Sequence, residues 1–246
     1  MDQYAHLLRW QLSTIEKSNN PEVDLRVVVV MAPYLDDPLA NDVYMEFASK
    51  KDTLWFDLQN LVCEPSELFQ RACGRNKAVQ TFESDVWWFT DCDYLFGDEV
   101  FKHAEFIVKF FEGDGYEGEV VFYPHTVNQN VNKEVGERLI QLSRDGCSLD
   151  VGLVNADQWQ EAHYRKAIGG IQIVHNDAVK DKGYLAGTKW TKPLSEDEIM
   201  QGWRGCRCDR RFRTQVGSSQ GVGIPNVYRI RHQERGRDQS YEMPAL

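Results

Sequence analysis

The sequence predicts an α/β protein with a mainly parallel central sheet flanked by helices, and three observations carry that expectation. Residues 27–31 (VVVVM) and 86–89 (VWWF) are uninterrupted apolar runs, which is how strands read when both faces of their sheet are covered. Segments of helical periodicity alternate with such runs, and the order strand, helix, strand, helix implies right-handed crossovers between parallel strands. The second run passes through Thr90 into Asp91, Cys92 and Asp93. Two carboxylates therefore stand at the carboxyl end of a buried strand, where open α/β sheets bind their ligands.

Taken in order, residues 4–15 place Tyr4, Leu7, Leu8, Leu12 and Ile15 at helical spacing, predicting an amphipathic helix with a packing role. Asn19, Asn20 and Pro21 end it, and residues 25–31 form the first buried strand. Ala32, Pro33 and Tyr34 follow, with Asp36 and Asp37 beyond. That loop is a candidate for holding a base or ribose with Tyr34 stacking, or it is a plain acidic turn. Residues 42–49 suggest a helix and 53–58 a second strand ending near Asp57, which joins the ligand-binding candidates. Residues 64–82 set Leu68, Ala72, Val79 and Phe82 on one helical face, with Pro65 in the first turn, where its missing N–H costs little. Arg71, Arg75, Asn76 and Lys77 lie on this helix, either as solvated groups or as cations leading toward a diphosphate.

In extended backbone, residues two apart point the same way, so Asp91 and Asp93 are expected to converge on one cation. Hard oxygen ligands suit Mg²⁺ or Mn²⁺ carrying a substrate's phosphates. The competing reading is a turn followed by a helix cap.

Residues 98–111 carry an apolar stripe (Val100, Phe101, Ala104, Ile107, Val108, Phe111), and Gly113, Gly115 and Gly118 break it. Strands are expected at 119–123, 149–154 and 171–174, the last after Gly169 and Gly170, and a helix at 132–144. Beyond Gly183 the pattern becomes irregular around Trp190 and Trp203, as a binding-site wall or as packing. Residues 227–232 alternate as a final extended segment.

Length and composition fit one large unit: 246 residues, 42% hydrophobic and 27% charged. No apolar run approaches a membrane span, and the opening lacks the order of a secretion signal, so a cytoplasmic protein is expected. The six cysteines show no zinc-like spacing; Cys206 and Cys208 are half a metal site or loop residues. The net charge of −10 argues against a surface that binds nucleic acid throughout. Its distribution is uneven: residues 203–237 hold nine arginines against two carboxylates, leaving +7 there and −17 elsewhere. A basic segment of that kind fits a phosphate-bearing ligand or an internally paired surface.

With these residues placed, the chain resembles a glycosyltransferase of the GT-A fold, similar to family 2. The likeness lies in Pro33–Tyr34 after the first strand, Arg75–Asn76–Lys77 on a helix, the strand ending in Asp91 and Asp93, Gly169–Gly170 before residues 171–174, and the late segment 228–232. It implies a Rossmann-like single domain over 1–246, with a nucleotide-sugar-binding half near 1–130 and an irregular acceptor-side half near 131–246. It further implies transfer of a sugar from a nucleoside diphosphate sugar, first of all a UDP-sugar, to an acceptor hydroxyl. Asp91, Asp93 and His232 would hold Mn²⁺ or Mg²⁺. Pro33, Tyr34, Asp57, Arg75, Lys77, Asp91, Gly170 and Arg211 would bind the donor, and Arg204, Arg207 or Arg213 would help neutralise its diphosphate. The family's paired acidic residues near its late arginine-bearing helix are absent, and residues 203–213 offer only Asp209 as a base. A nucleotidyltransferase is the nearest rival enzyme, although residues 31–38 (MAPYLDDP) lack its Gly-rich loop. A non-catalytic nucleotide- or carbohydrate-binding domain is the rival of another class. Glycan, protein, lipid and a hydroxymethylated DNA base all remain open as acceptors.

Overall fold

The structure is a computed structural model and describes residues 4–18, 22–103, 106–107, 120–145, 156–195, 197–198 and 208–231. Among the described residues the strands form three sheets. In the first, β1 (Arg26–Met31) and β2 (Asp57–Val62) run parallel, with Arg26 opposite Asp57 and Met31 opposite Val62. The second has the order β3 (Val86–Thr90), β8 (Ile171–His175), β5 (Val120–Pro124), β9 (Ser218–Val222). Here β8 is antiparallel to both neighbours, while β9 is parallel to β5. The third has the order β4 (Tyr94–Phe96), β10 (Val227–Arg229), β6 (Thr126–Asn130), β7 (Trp159–His163), and only its β10–β6 pair is parallel.

The α/β class holds, but the expected mainly parallel sheet is corrected to mixed sheets. Apolar periodicity reports burial and not strand direction. Both faces of β3 are indeed covered. Trp87 and Phe89 pack with Ala72, Tyr184 and Phe212, whereas Val86 and Trp88 pack on the other side with Phe96 and Phe101.

Helix α1 (Ala5–Lys17) buries Leu7, Trp10, Leu12 and Ile15. Helix α2 (Pro38–Ala48) starts earlier than its periodicity suggests, because Pro38 opens it and the Asp37 carboxylate caps the Ala40 N–H at 3.3 Å. The second strand is shifted to Asp57–Val62, so Asp57 begins it instead of ending it. The single helix expected over 64–82 is two, α3 (Pro65–Leu68) and α4 (Arg71–Thr81), with Gln70 extended between them. Gly74 lets α4 approach β1 closely, since a Cβ there would lie 2.6 Å from Val30 Cγ1. Asn132 caps α5 (Lys133–Arg144) through the Val135 N–H at 2.9 Å. Helices α6 (Asp177–Lys180) and α7 (Cys208–Val216) follow. Residues 100–103 and 106–107 are helical, as expected, and the strand expected over 149–154 lies outside the described residues. Among the described residues, no helix is long and apolar enough to cross a membrane.

Candidate functional site

The site begins where β3 stops. Residues 91–94 form a β-turn in which Tyr94 N–H donates to Asp91 O at 3.2 Å. The Asp91 N–H donates to Gly170 O at 3.0 Å, and the Ile230 N–H donates to Asp93 O at 2.9 Å. From α1, the buried Gln11 amide donates to the carbonyls of Asp91 (2.9 Å) and Tyr94 (3.0 Å). The turn is thus held from three sides by backbone and side-chain hydrogen bonds.

Because the backbone turns here, the strand alternation expected of Asp91 and Asp93 does not apply, and their carboxylates engage different cations. Asp91 Oδ2 accepts from Arg71 and Oδ1 from Arg75, the latter at 3.0 Å. Asp93 Oδ2 accepts from Arg229 on β10 at 3.1 Å. The Arg229 guanidinium also lies over the Tyr94 ring, 5.5 Å from its centroid. Burial works against the charge on Arg229, but Tyr94, Asp93 and Tyr164 outweigh it and raise its pKa.

Arg71 and Arg75 each reach a second carboxylate, that of Asp209 on α7. Arg71 donates to Asp209 Oδ2 at 2.8 Å and Arg75 to Oδ1 at 2.9 Å, so two arginines alternate with two carboxylates. Their spacing of four residues on α4 puts both guanidinium groups on one helix face. Arg75 further donates to the Tyr184 hydroxyl (2.9 Å) and to Gly169 O (3.0 Å). The Tyr184 oxygen lies 3.0 Å from Gln172 Oε1 and 3.2 Å from Asp209 Oδ1, so its single proton is shared between these acceptors. Gln172 in turn donates to Asp209 O at 3.3 Å. Arg75 is 8% exposed and Asp209 7%. Burial opposes the charge on Arg75, yet Tyr184, Asp209 and Asp91 overcome it and raise its pKa, so the guanidinium stays charged. The phenol of Tyr184 is pushed up by burial, with Arg75 acting in the opposite direction.

The glycine pair is explained by contact. A Cβ on Gly169 would lie 2.0 Å from Asp209 Oδ2, and one on Gly170 would lie 2.3 Å from the Tyr94 ring. Asn76 holds the segment that carries Tyr184, accepting from the Tyr184 N–H at 3.1 Å.

The structure thus brings Arg75, Asp91, Gly170 and Asp209 together, and Asp93 adjoins them across the turn. Other candidates fall elsewhere. Asp57, expected to bind ligand, lies at the amino end of the β1–β2 pair and forms an ion pair with Arg26 at 2.8 Å. Lys77 is two residues past Arg75, on the opposite helix face, and pairs with Glu67 at 2.6 Å. Arg211 is likewise exposed on the opposite side of α7 from Asp209. Pro33 and Tyr34 sit at the carboxyl end of β1, with Tyr34 56% exposed and outside the hydrogen-bonded network. His232, Arg204 and Arg207 lie outside the described residues.

The donor set does not fit a divalent ion as it is arranged. Among the described residues, no three His, Cys, Asp or Glu side chains group as a metal site, and Asp91 and Asp93 are turned toward separate arginines. The expected convergence of that pair on one cation is therefore corrected for this arrangement. Sequence reasoning named Arg71 only as a cation leading toward a diphosphate and Gly169 only as half of a glycine pair, and it left Arg229, Tyr184, Gln172 and Gln11 out of the site. Gln172 carried a signal, a polar residue inside an apolar strand, whereas nothing marks Tyr184 in its irregular segment.

No protein-family model matches the chain, and no curated protein matches it either.

Proposed function

We propose that the protein transfers a sugar from a nucleoside diphosphate sugar to an acceptor hydroxyl, with its reaction centre at the carboxyl end of β3. One observation carries this reading. Arg75, Asp91, Gly169–Gly170 and Asp209, drawn from four separate stretches of chain, form one hydrogen-bonded cluster beyond that strand. The charge that develops on a departing diphosphate needs fixed cations aimed at it. Arg71, at the more open edge of the network with its side chain 25% exposed, supplies one such cation. Asp209 is the candidate base for the acceptor hydroxyl; both its oxygens are held, so one bond to Arg71 or Arg75 must open before it accepts a proton.

A specific observation favours a second reading, a non-catalytic nucleotide- or carbohydrate-binding domain. Each oxygen of Asp91 and Asp209 already has a donor, which is also how an ionic network behaves when it only locks segments together. Incubation with a panel of nucleotide sugars, with and without Mn²⁺, separates the two. The transferase reading expects slow hydrolysis of at least one donor without acceptor. Donor binding with no turnover under either condition would move the assignment to the second reading, and neither binding nor turnover would remove both.

A further inference from the structure

We infer that a pocket between α7 and β9 is a phosphate-binding site, separate from the Asp91–Asp209 cluster and independent of the glycosyl-transfer reading. The pocket has a volume of about 440 Å³ and is lined by Lys166, Arg210, Arg213, Thr214, Ser218 and Ser219 together with Gly217. It thus presents three cations and no carboxylate, and the hydroxyl of Thr214 donates to Arg210 O at 3.1 Å. Among the described residues, no carboxylate pairs with any of the three cations. In a protein of net charge −10, three such groups around one opening repel each other, and a bound anion would relieve that repulsion.

The geometry comes from the end of the helix. Cys208, Asp209, Phe212 and Val216 are the buried face of α7, and the pocket-lining residues lie about a third of a turn or more around it at roughly 100° per residue. Gly217, at φ 113°, closes the helix, its N–H donating to Arg213 O at 3.0 Å, and turns the chain back into β9. Ser218 and Ser219 therefore return beside Arg210 and Arg213. The Nε of Arg213 is buried and has no hydrogen-bond partner among the described residues. Planar guanidinium groups match the oxygens of a phosphate, which takes several donors at once. The shared ligand chemistry is a phosphate group, either a free or monoester dianion or the phosphodiester of a nucleic-acid strand.

Calorimetric titration of the full chain tests this, with inorganic phosphate in one arm and a ten-residue oligothymidylate in the other. The expected result is binding in at least one arm, weakened at least about tenfold in the double variant Arg210→Gln/Arg213→Gln as charge-assisted hydrogen bonds are lost. The arm that responds identifies the source of the phosphate. A control variant, Arg138→Gln/Arg144→Gln, removes the same charge from exposed positions on α5 and is expected to bind as wild type. No binding in either arm would overturn the site. So would unchanged affinity in the pocket variant, or equal weakening in the control, which would reduce the effect to net charge. Thermal melting of both variants confirms that each is folded.

Discussion

Arg75 sits where burial disfavours a charge, and four acceptors keep it charged: Asp91, Asp209, the Tyr184 hydroxyl and Gly169 O. Removing one member of such a network strands the others without their counter-charge, which typically costs about 3–5 kcal/mol. Arg75→Ala is therefore expected to lower the melting temperature by roughly 10 °C, and an unchanged melting temperature would show that the network contributes little. Tyr184 adds a dependence on pH. An unfolded tyrosine ionises near pH 10, while the buried phenol, its pKa raised in the fold, keeps its proton to higher pH. Above about pH 10 the unfolded chain thus holds fewer protons than the folded one, and stability falls as pH rises. Melting scans between about pH 9 and pH 11 are expected to show a smaller decline for Tyr184→Phe than for wild type. Part of the decline persists because Tyr94, also buried, is raised as well.

At the scale of elements, α1 and α4 determine what the turn after β3 can do. Gln11 of α1 bridges the carbonyls of Asp91 and Tyr94, so α1 has a positioning role as well as a packing one. Gln11→Ala leaves two carbonyls without that donor and is expected to cost about 1–3 kcal/mol. Hydrogen exchange at the Tyr94 amide, which closes the turn, should accelerate more than exchange within β8. Equal acceleration in both would indicate general destabilisation. The strand before the turn was legible because Trp87, Trp88 and Phe89 are covered on both faces, and burial of that kind is written in composition. The turn was not, since Asp-Cys-Asp reads equally well as extended backbone. The break at Gln70 lacks any glycine or proline to announce it. Strands such as β9 (SSQGV), mostly exposed, carry no apolar pattern to find.

For the whole molecule, long-range closure decided what the sequence could reveal. Asp91 and Asp209 are 118 positions apart, and their association through Arg71 and Arg75 depends on the mixed sheet bringing β8 beside β3. Local periodicity holds no information on that pairing, so Asp209 and Arg75 were found through resemblance, while Arg71 was seen only as a cation on a helix. The unequal charge distribution was visible in the sequence, and α7 places two of its arginines in the pocket beside β9. The central claim is that the cluster beyond β3 performs chemistry on a donor sugar. Its most direct test is the donor hydrolysis rate of Asp91→Asn, measured beside its melting temperature, because this change keeps the side-chain shape while removing the charge and one of the two acceptors that face Arg71 and Arg75. The account predicts a folded protein whose turnover falls at least about 100-fold. A folded Asp91→Asn protein that hydrolyses the donor at the wild-type rate would contradict it.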